Sequence, residues 1–409
     1  MSATITKKIK PLCSMLLALL YGVWFAPMAL AYSFDLIVPD VRQPVAVSGG
    51  SACPVPAHHL SAVGSIAVQW STALSTSPVT IVTQNQTASG RLSEIQQTIA
   101  QTMSVWTGVS GTTLLPATFT ALTTTTTQNA CGPDGLNTIC FDQADSAFTP
   151  GVLAFTRIIT TDLLGEQVGS SAVSTQLGQI LDADIYFNPS DSSVTYATPQ
   201  ALPSSLSSYD LESLLMHEFG HFLGFGHSAV WSAIMFPFAP APGTFAGTRP
   251  TAQQPDAPLG DDDRTGLRVL YPDPADTVHQ GSIQGRMLPA NPLALPASPP
   301  GVTGVFGAQV VAVDQASGAV AGATFGGWSC AAPGPAQFDG TYQIHALAVG
   351  HNYTIYVEAL NGAVDPSQIT TTTASLCRNA TTDPGWPPLQ ACVVPPVDTS
   401  LTTRTLPGP

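Results

Sequence analysis

His217, Glu218, His221 and His227 fall within one eleven-residue stretch, His217-Glu218-Phe219-Gly220-His221-Phe222-Leu223-Gly224-Phe225-Gly226-His227. Residues four apart share a helix face, so the imidazoles of His217 and His221 stand one turn apart and can bind a single ion. Gly224 suits the point where such a helix stops, because left-handed backbone costs glycine little. The chain can then return His227 to the same ion. Three neutral imidazoles hold zinc and leave a fourth tetrahedral position for water, whose pKa falls to about 7. Glu218, beside a ligand on the same helix, is placed to take that water's proton and pass it to a leaving amine. The chemistry implied is metal-assisted amide hydrolysis at one zinc. A closed structural site would call for a fourth ligand rather than an adjacent carboxylate.

The elements that must carry these groups follow from periodicity. Leu211, Leu214 and Leu215 lead into His217 on a helix that Ser207 or Ser208 can cap. Ile95, Ile99, Met103 and Trp106 recur at helical spacing and stop near Gly108. Asp261–Leu270 reads as a last short helix, its three leading aspartates facing the positive end of the helix dipole. Ile66–Trp70, Val152–Ile159 and Leu181–Phe187 read as strands, and Thr112–Thr127 as a strand running into a loop. The Pro/Gly/Ala-rich stretch Ala239–Pro258 must be loop.

Composition narrows the setting. Lys7, Lys8 and Lys10 precede a mostly apolar run, Leu12–Met28, and Ala29-Leu30-Ala31 offers a small-x-small cleavage site. This is the pattern of a signal peptide over residues 1–31, so secretion and a mature start near Tyr32 are expected. Its removal leaves nine arginines against 26 acids, a formal charge of −17. Such a chain repels nucleic acid and anionic membranes, and no later run is apolar enough to span a bilayer. Six cysteines remain beyond Cys13, an even number that reads as disulfides in an exported chain. Cys131 and Cys140 flank the turn-rich Gly132-Pro133-Asp134-Gly135 and can bridge locally. The pairing of Cys53, Cys330, Cys377 and Cys392 stays open.

The pattern HExxHxxGxxH is the metzincin signature, and this stretch resembles it at every fixed position. Met235, eight residues beyond His227, resembles the metzincin Met-turn, an apolar floor beneath the zinc. Ser228 directly after the third histidine is similar to the matrixin branch, the matrix-metalloprotease type. Phe236 lacks the hydroxyl of the astacin tyrosine. Leu259-Gly260-Asp261-Asp262-Asp263 resembles the start of the last matrixin helix. Leu181–Phe187 resembles the family's edge strand above the cleft, with which an extended protein or peptide substrate pairs. The resemblance implies a zinc endopeptidase with an α/β (α+β) zincin-like domain, a twisted sheet plus the zinc-bearing helix. Side-chain selection is expected in a pocket lined partly by the loop after Met235. No histidine lies between His59 and His217, so a second, structural zinc is not expected. Asp162, Glu166, Asp182 and Asp184 offer oxygens for calcium, although a solvated loop accounts for them as well. Cys53 could hold the zinc as a latency switch, but a disulfide is the commoner fate of such a cysteine.

The domain boundaries expected are a signal peptide at 1–31, an N-terminal segment at 32–63, the catalytic domain at 64–272 and a linker at 273–280. An antiparallel β-sandwich follows at 281–365, then a Thr/Pro-rich tail at 366–409. The sandwich segment resembles carboxypeptidase-regulatory or transthyretin-like modules through Gly281–Gly285, Gly307–Ala312 and Phe338–Tyr342. Such modules are usually non-catalytic. The competing reading is therefore an extracellular adhesive or matrix-binding protein with an accessory zinc domain. The intact histidine set with Glu218 weighs against it.

Overall fold

The computed structural model describes chiefly residues 92–114, 131–291 and 302–359, with short gaps, and the strand backbone at 5–8, 30–34, 36–37, 66–67, 81–84 and 122–124. The chain divides into two compact units. The first holds Val68–Gly226 and Trp231–Asp276 together with Met1–Ile9, and the second holds Lys10–Ala67, His227–Val230 and Thr277–Pro409. Cys53, Cys377, Cys392, Asp162 and the tail from 366 lie outside the described residues.

In the first unit, strands β1 (Ile81–Gln84), β2 (Leu122–Thr124), β3 (Asn137–Cys140), β4 (Ala154–Thr160) and β5 (Ile180–Phe187) form one twisted mixed sheet. Its order is Ile5–Lys8, β4, β5, β3, β1, β2. All pairs are parallel except β4 with β5. Helices α1 (Leu92–Thr107) and α2 (Leu211–Phe222) pack on one another, and α2 lies against β4 and β5. The third helix, α3 (Asp261–Leu270), has the bounds expected from its aspartates.

The sequence reading of Leu181–Phe187 as the edge strand is corrected here. β5 lies inside the sheet, between β4 and β3, and all eight of its residues are buried. The resemblance to the family's edge strand does not hold at this position, and Asp182 and Asp184 face protein rather than water. Asp184 accepts N–H bonds from Gly132 at 2.7 Å and Thr138 at 2.8 Å, and Asp182 from Asp134 at 3.0 Å and Gly135 at 3.2 Å. Burial pushes both carboxyls above the ordinary range, and their mutual repulsion adds to the rise in Asp184. They fasten the loop closed by the Cys131–Cys140 disulfide. The strand outside β5 is β4, and its outer side pairs with Ile5–Lys8, inside the expected leader.

Two further differences are local. The cap of α2 is Asp210, whose carboxylate accepts the Ser213 N–H at 2.7 Å, rather than a serine upstream. Among the described residues, the expected strand over Ile66–Trp70 shows as Ile66–Ala67 with a bridge at Gln69, and the expected Thr-rich strand as β2.

In the second unit, β6 (Gly281–Arg286) pairs antiparallel with β9 (Thr341–Leu347), while β7 (Gln309–Asp314) pairs antiparallel with both β8 (Val320–Phe325) and β10 (Tyr353–Glu358). Leu30–Phe34, which spans the expected cleavage point, pairs antiparallel with β8. Met287, Val310, Ala312, Ile344 and Leu347 form one buried cluster drawn from both sets of strands.

Candidate metal centre

Helix α2 carries the first two histidines, and its end is fixed by three side chains. Trp106 Nε1 donates to the Met216 carbonyl at 2.9 Å, Trp70 Nε1 to the Phe222 carbonyl at 2.9 Å, and the Tyr271 hydroxyl to the Leu223 carbonyl at 2.7 Å. The bonds to Phe222 and Leu223 satisfy carbonyls that the helix terminus leaves open, while the bond to Met216 ties α1 to the interior of α2. Gly224 then turns the chain at φ +102°, a conformation that favours glycine, and a short strand, Phe225–Ser228, carries His227.

The ligand nitrogens of His217, His221 and His227 all lie within 4.8 Å of one another. His217 Nδ1 sits 2.7 Å from the Ile234 carbonyl and His221 Nδ1 sits 2.7 Å from the Phe225 carbonyl. A carbonyl only accepts, so each Nδ1 carries the proton and each neutral ring presents a lone pair at Nε2. Those two Nε2 atoms stand 3.1 Å apart. Two lone pairs at that separation repel unless a cation lies between them. This donor set fits zinc, with the carbonyls in the outer role that orients metal-bound imidazoles.

Met235 is 1 % exposed and lies beneath α2. A Cβ added at Gly220, between the two helical histidines, would stand 2.0 Å from Met235 Sδ and 3.2 Å from Trp106 Cζ2. The turn holding Met235 is tied to α3. Asp263 accepts from the N–H groups of Ile234 at 2.8 Å, Met235 at 3.3 Å and Gly260 at 2.8 Å. Burial pushes its carboxyl up to about 6, and the N–H bonds hold it from rising further. Sequence reasoning placed Asp263 only at the helix dipole. Its second task has no local signal, because the partners lie 28 and 29 residues away.

Glu218 is buried, and the Thr156 hydroxyl donates to its Oε2 at 2.8 Å. Nothing in the motif pointed to Thr156. Glu218 and His217 line a cavity of about 280 Å³ whose apolar wall includes Leu214, Ile234, Phe236, Phe238, Phe245 and Pro258. The loop after Met235 thus lines a pocket that His217 and Glu218 also line. Arg249 pairs with Asp210 and Glu212 and stacks over Phe245, holding the loop to the base of α2. Trp231, also lining the cavity, is 76 % exposed and meets the Phe236 ring edge-on at 4.9 Å.

Comparison with known proteins agrees with this geometry. The matrixin family model matches residues 160–272. The chain is similar to Metalloendoproteinase 1 of Glycine max, 42% identical over 65 residues that make up 16% of this chain and 18% of the relative. It is also similar to Metalloendoproteinase 1-MMP of Arabidopsis thaliana, 34% identical over 99 residues covering 22% of this chain and 24% of the relative. The chain thus spans about a quarter or less of the length of these relatives. His217, His221, His227, Met235 and α3 all fall within the matched span, and residues 160–272 are accordingly similar to the matrixin branch of the metzincins.

Proposed function

We propose that this protein is a secreted zinc endopeptidase that hydrolyses peptide bonds in extracellular proteins. The observation that carries the reading is the pair of Nε2 lone pairs facing each other at 3.1 Å, with a third imidazole nitrogen beside them. His217, His221 and His227 would hold zinc, which when bound supplies a Lewis acid that acidifies water and polarises a carbonyl. Glu218 takes the proton from the attacking water and delivers it to the leaving nitrogen, so one carboxylate serves as base and then acid. Met235 floors the site.

Substrate binding follows from the same elements. β4 leads out of Leu153 and Ala154, which line the cavity with Glu218. Its outer edge takes a strand, since Ile5–Lys8 pairs there. Loss of residues 1–31 frees that edge for an extended substrate. The apolar wall then admits a large apolar side chain next to the scissile bond. β6 to β10 are read as a non-catalytic antiparallel sandwich. Asp182 and Asp184 already accept backbone N–H groups, which leaves calcium a minor candidate there.

The test is cleavage of casein or denatured collagen by the purified mature chain, with and without chelator. Activity lost on chelation, regained with zinc and absent in Glu218→Ala supports the proposal. Activity persisting in Glu218→Ala refutes the mechanism, and a folded, zinc-loaded chain that cuts nothing favours an adhesive role.

A further inference from the structure

Thr156 is fully buried at the third position of β4, two residues after Ala154. Alternate strand residues share a face, so both point towards α2, which packs on this strand. The hydroxyl stands 2.8 Å from Glu218 Oε2 and 3.0 Å from the Glu218 main-chain carbonyl. It has one proton to give, and the carboxylate oxygen is the stronger acceptor. The contact links an atom on the strand to the end of a side chain that otherwise has three rotatable bonds. Only one carboxylate oxygen is engaged by Thr156, and Glu218 still lines the cavity. A buried threonine needs some acceptor for its hydroxyl, and a helix carbonyl alone would meet that need. Direction of the proton to the reacting carboxylate gives the residue a further consequence.

We infer that Thr156 is a positioning residue: its hydroxyl fixes the rotamer of Glu218 so that the other carboxylate oxygen faces the attacking water. This inference rests on the proposed peptidase reading and adds to it a residue outside the histidine motif. A general base must stand within hydrogen-bond reach of its proton, and misplacement by about 1 Å can cost about 100-fold in rate.

The experiment compares Thr156→Val, which keeps the shape and removes the hydroxyl, with Thr156→Ser, which keeps the hydroxyl. Expected for valine is a kcat about 10- to 100-fold lower, KM within about twofold of wild type and one zinc still bound. Serine retains most of the wild-type kcat. A second readout uses zinc-free protein with ¹³C-labelled glutamate. The chain has five glutamates, Glu94, Glu166, Glu212, Glu218 and Glu358, so the Glu218 carboxyl signal is assigned by its loss in Glu218→Ala. That signal should respond to H/D exchange in wild type and the serine variant and should shift in the valine variant. The inference is overturned by wild-type kcat in Thr156→Val, by serine as impaired as valine, by a loss carried in KM, or by no isotope response in wild type. The last readout needs no Thr156 variant to fold. A peptidase-inactive wild type that shows the isotope response would fault the functional reading and leave the contact standing.

Discussion

Replacing Gly220 by alanine sets two effects of opposite sign against each other. In an exposed helix interior, alanine is better than glycine by about 1 kcal/mol, because it loses less backbone freedom on folding. Gly220 is buried, and the new Cβ would lie 2.0 Å from Met235 Sδ and 2.9 Å from its Cε. Met235 must yield by more than 1 Å, while Trp106, fully buried, closes a second side at 3.2 Å. Overpacking of this kind costs about 1–3 kcal/mol. Steric cost therefore outweighs propensity, and Gly220→Ala should destabilise by about 1 kcal/mol net, a Tm lower by about 2–4 °C for a domain of this size. Chemical denaturation of the metal-free protein measures it without interference from zinc linkage. Met235→Ala alone leaves a cavity, whereas in the double variant the new methyl group occupies part of it. The cycle should then show the double variant more stable than the sum of the two singles. A Gly220→Ala protein about 1 kcal/mol more stable than wild type, or a cycle that adds without coupling, would refute the idea that the glycine exists to seat the methionine.

Other perturbations test the remaining contacts. Any one of His217→Ala, His221→Ala and His227→Ala should reduce bound zinc well below one per chain by atomic absorption, whereas Glu218→Gln should leave it at one. Asp263 carries a raised pKa, so its proton favours the folded state. That contribution is whole below about pH 4 and is lost as pH rises through about 6. The stability penalty of Asp263→Asn relative to wild type should accordingly shrink between pH 4 and 7 in parallel denaturation series. Arg249→Met removes the cation that faces Asp210 and Glu212 at the base of α2. A loss of about 2 kcal/mol is expected, discounted for an arginine that is 35% exposed, together with a raised KM as the cavity loop loosens. Reduction of Cys131–Cys140 releases a loop of nine residues' separation, for which chain entropy predicts about 2.5 kcal/mol, read as a lower denaturation midpoint.

Much of the centre could be read from the chain because its geometry is local. Four-residue spacing on a helix fixes where His217 and His221 point, and a glycine three residues on permits the turn, whatever else the protein does. The bounds of α1 and α3 were legible for the same reason, since an amphipathic period and a run of aspartates act within one element. Strand order was not legible. Asp182 and Asp184 alternate as a solvent-facing strand would, yet β5 is interior, because a loop 46 to 52 residues away turns its N–H groups onto the two carboxylates. Only tertiary structure could decide which strand is outermost, since pairing partners are chosen by contacts distant in sequence.

Local spacing alone made the three histidines, their helix, the adjacent carboxylate and the likeness to the matrixins legible. Tertiary structure alone decided what surrounds that set: carbonyls that fix the imidazole tautomers, Asp263 gripping the Met235 turn, and Thr156 against Glu218. Each of these joins residues separated by 17 to 62 positions, except the His221–Phe225 bond, which spans four. A hydrogen bond depends on separation in space, and separation in space is set by the packing of the whole sheet against α2 rather than by any local pattern.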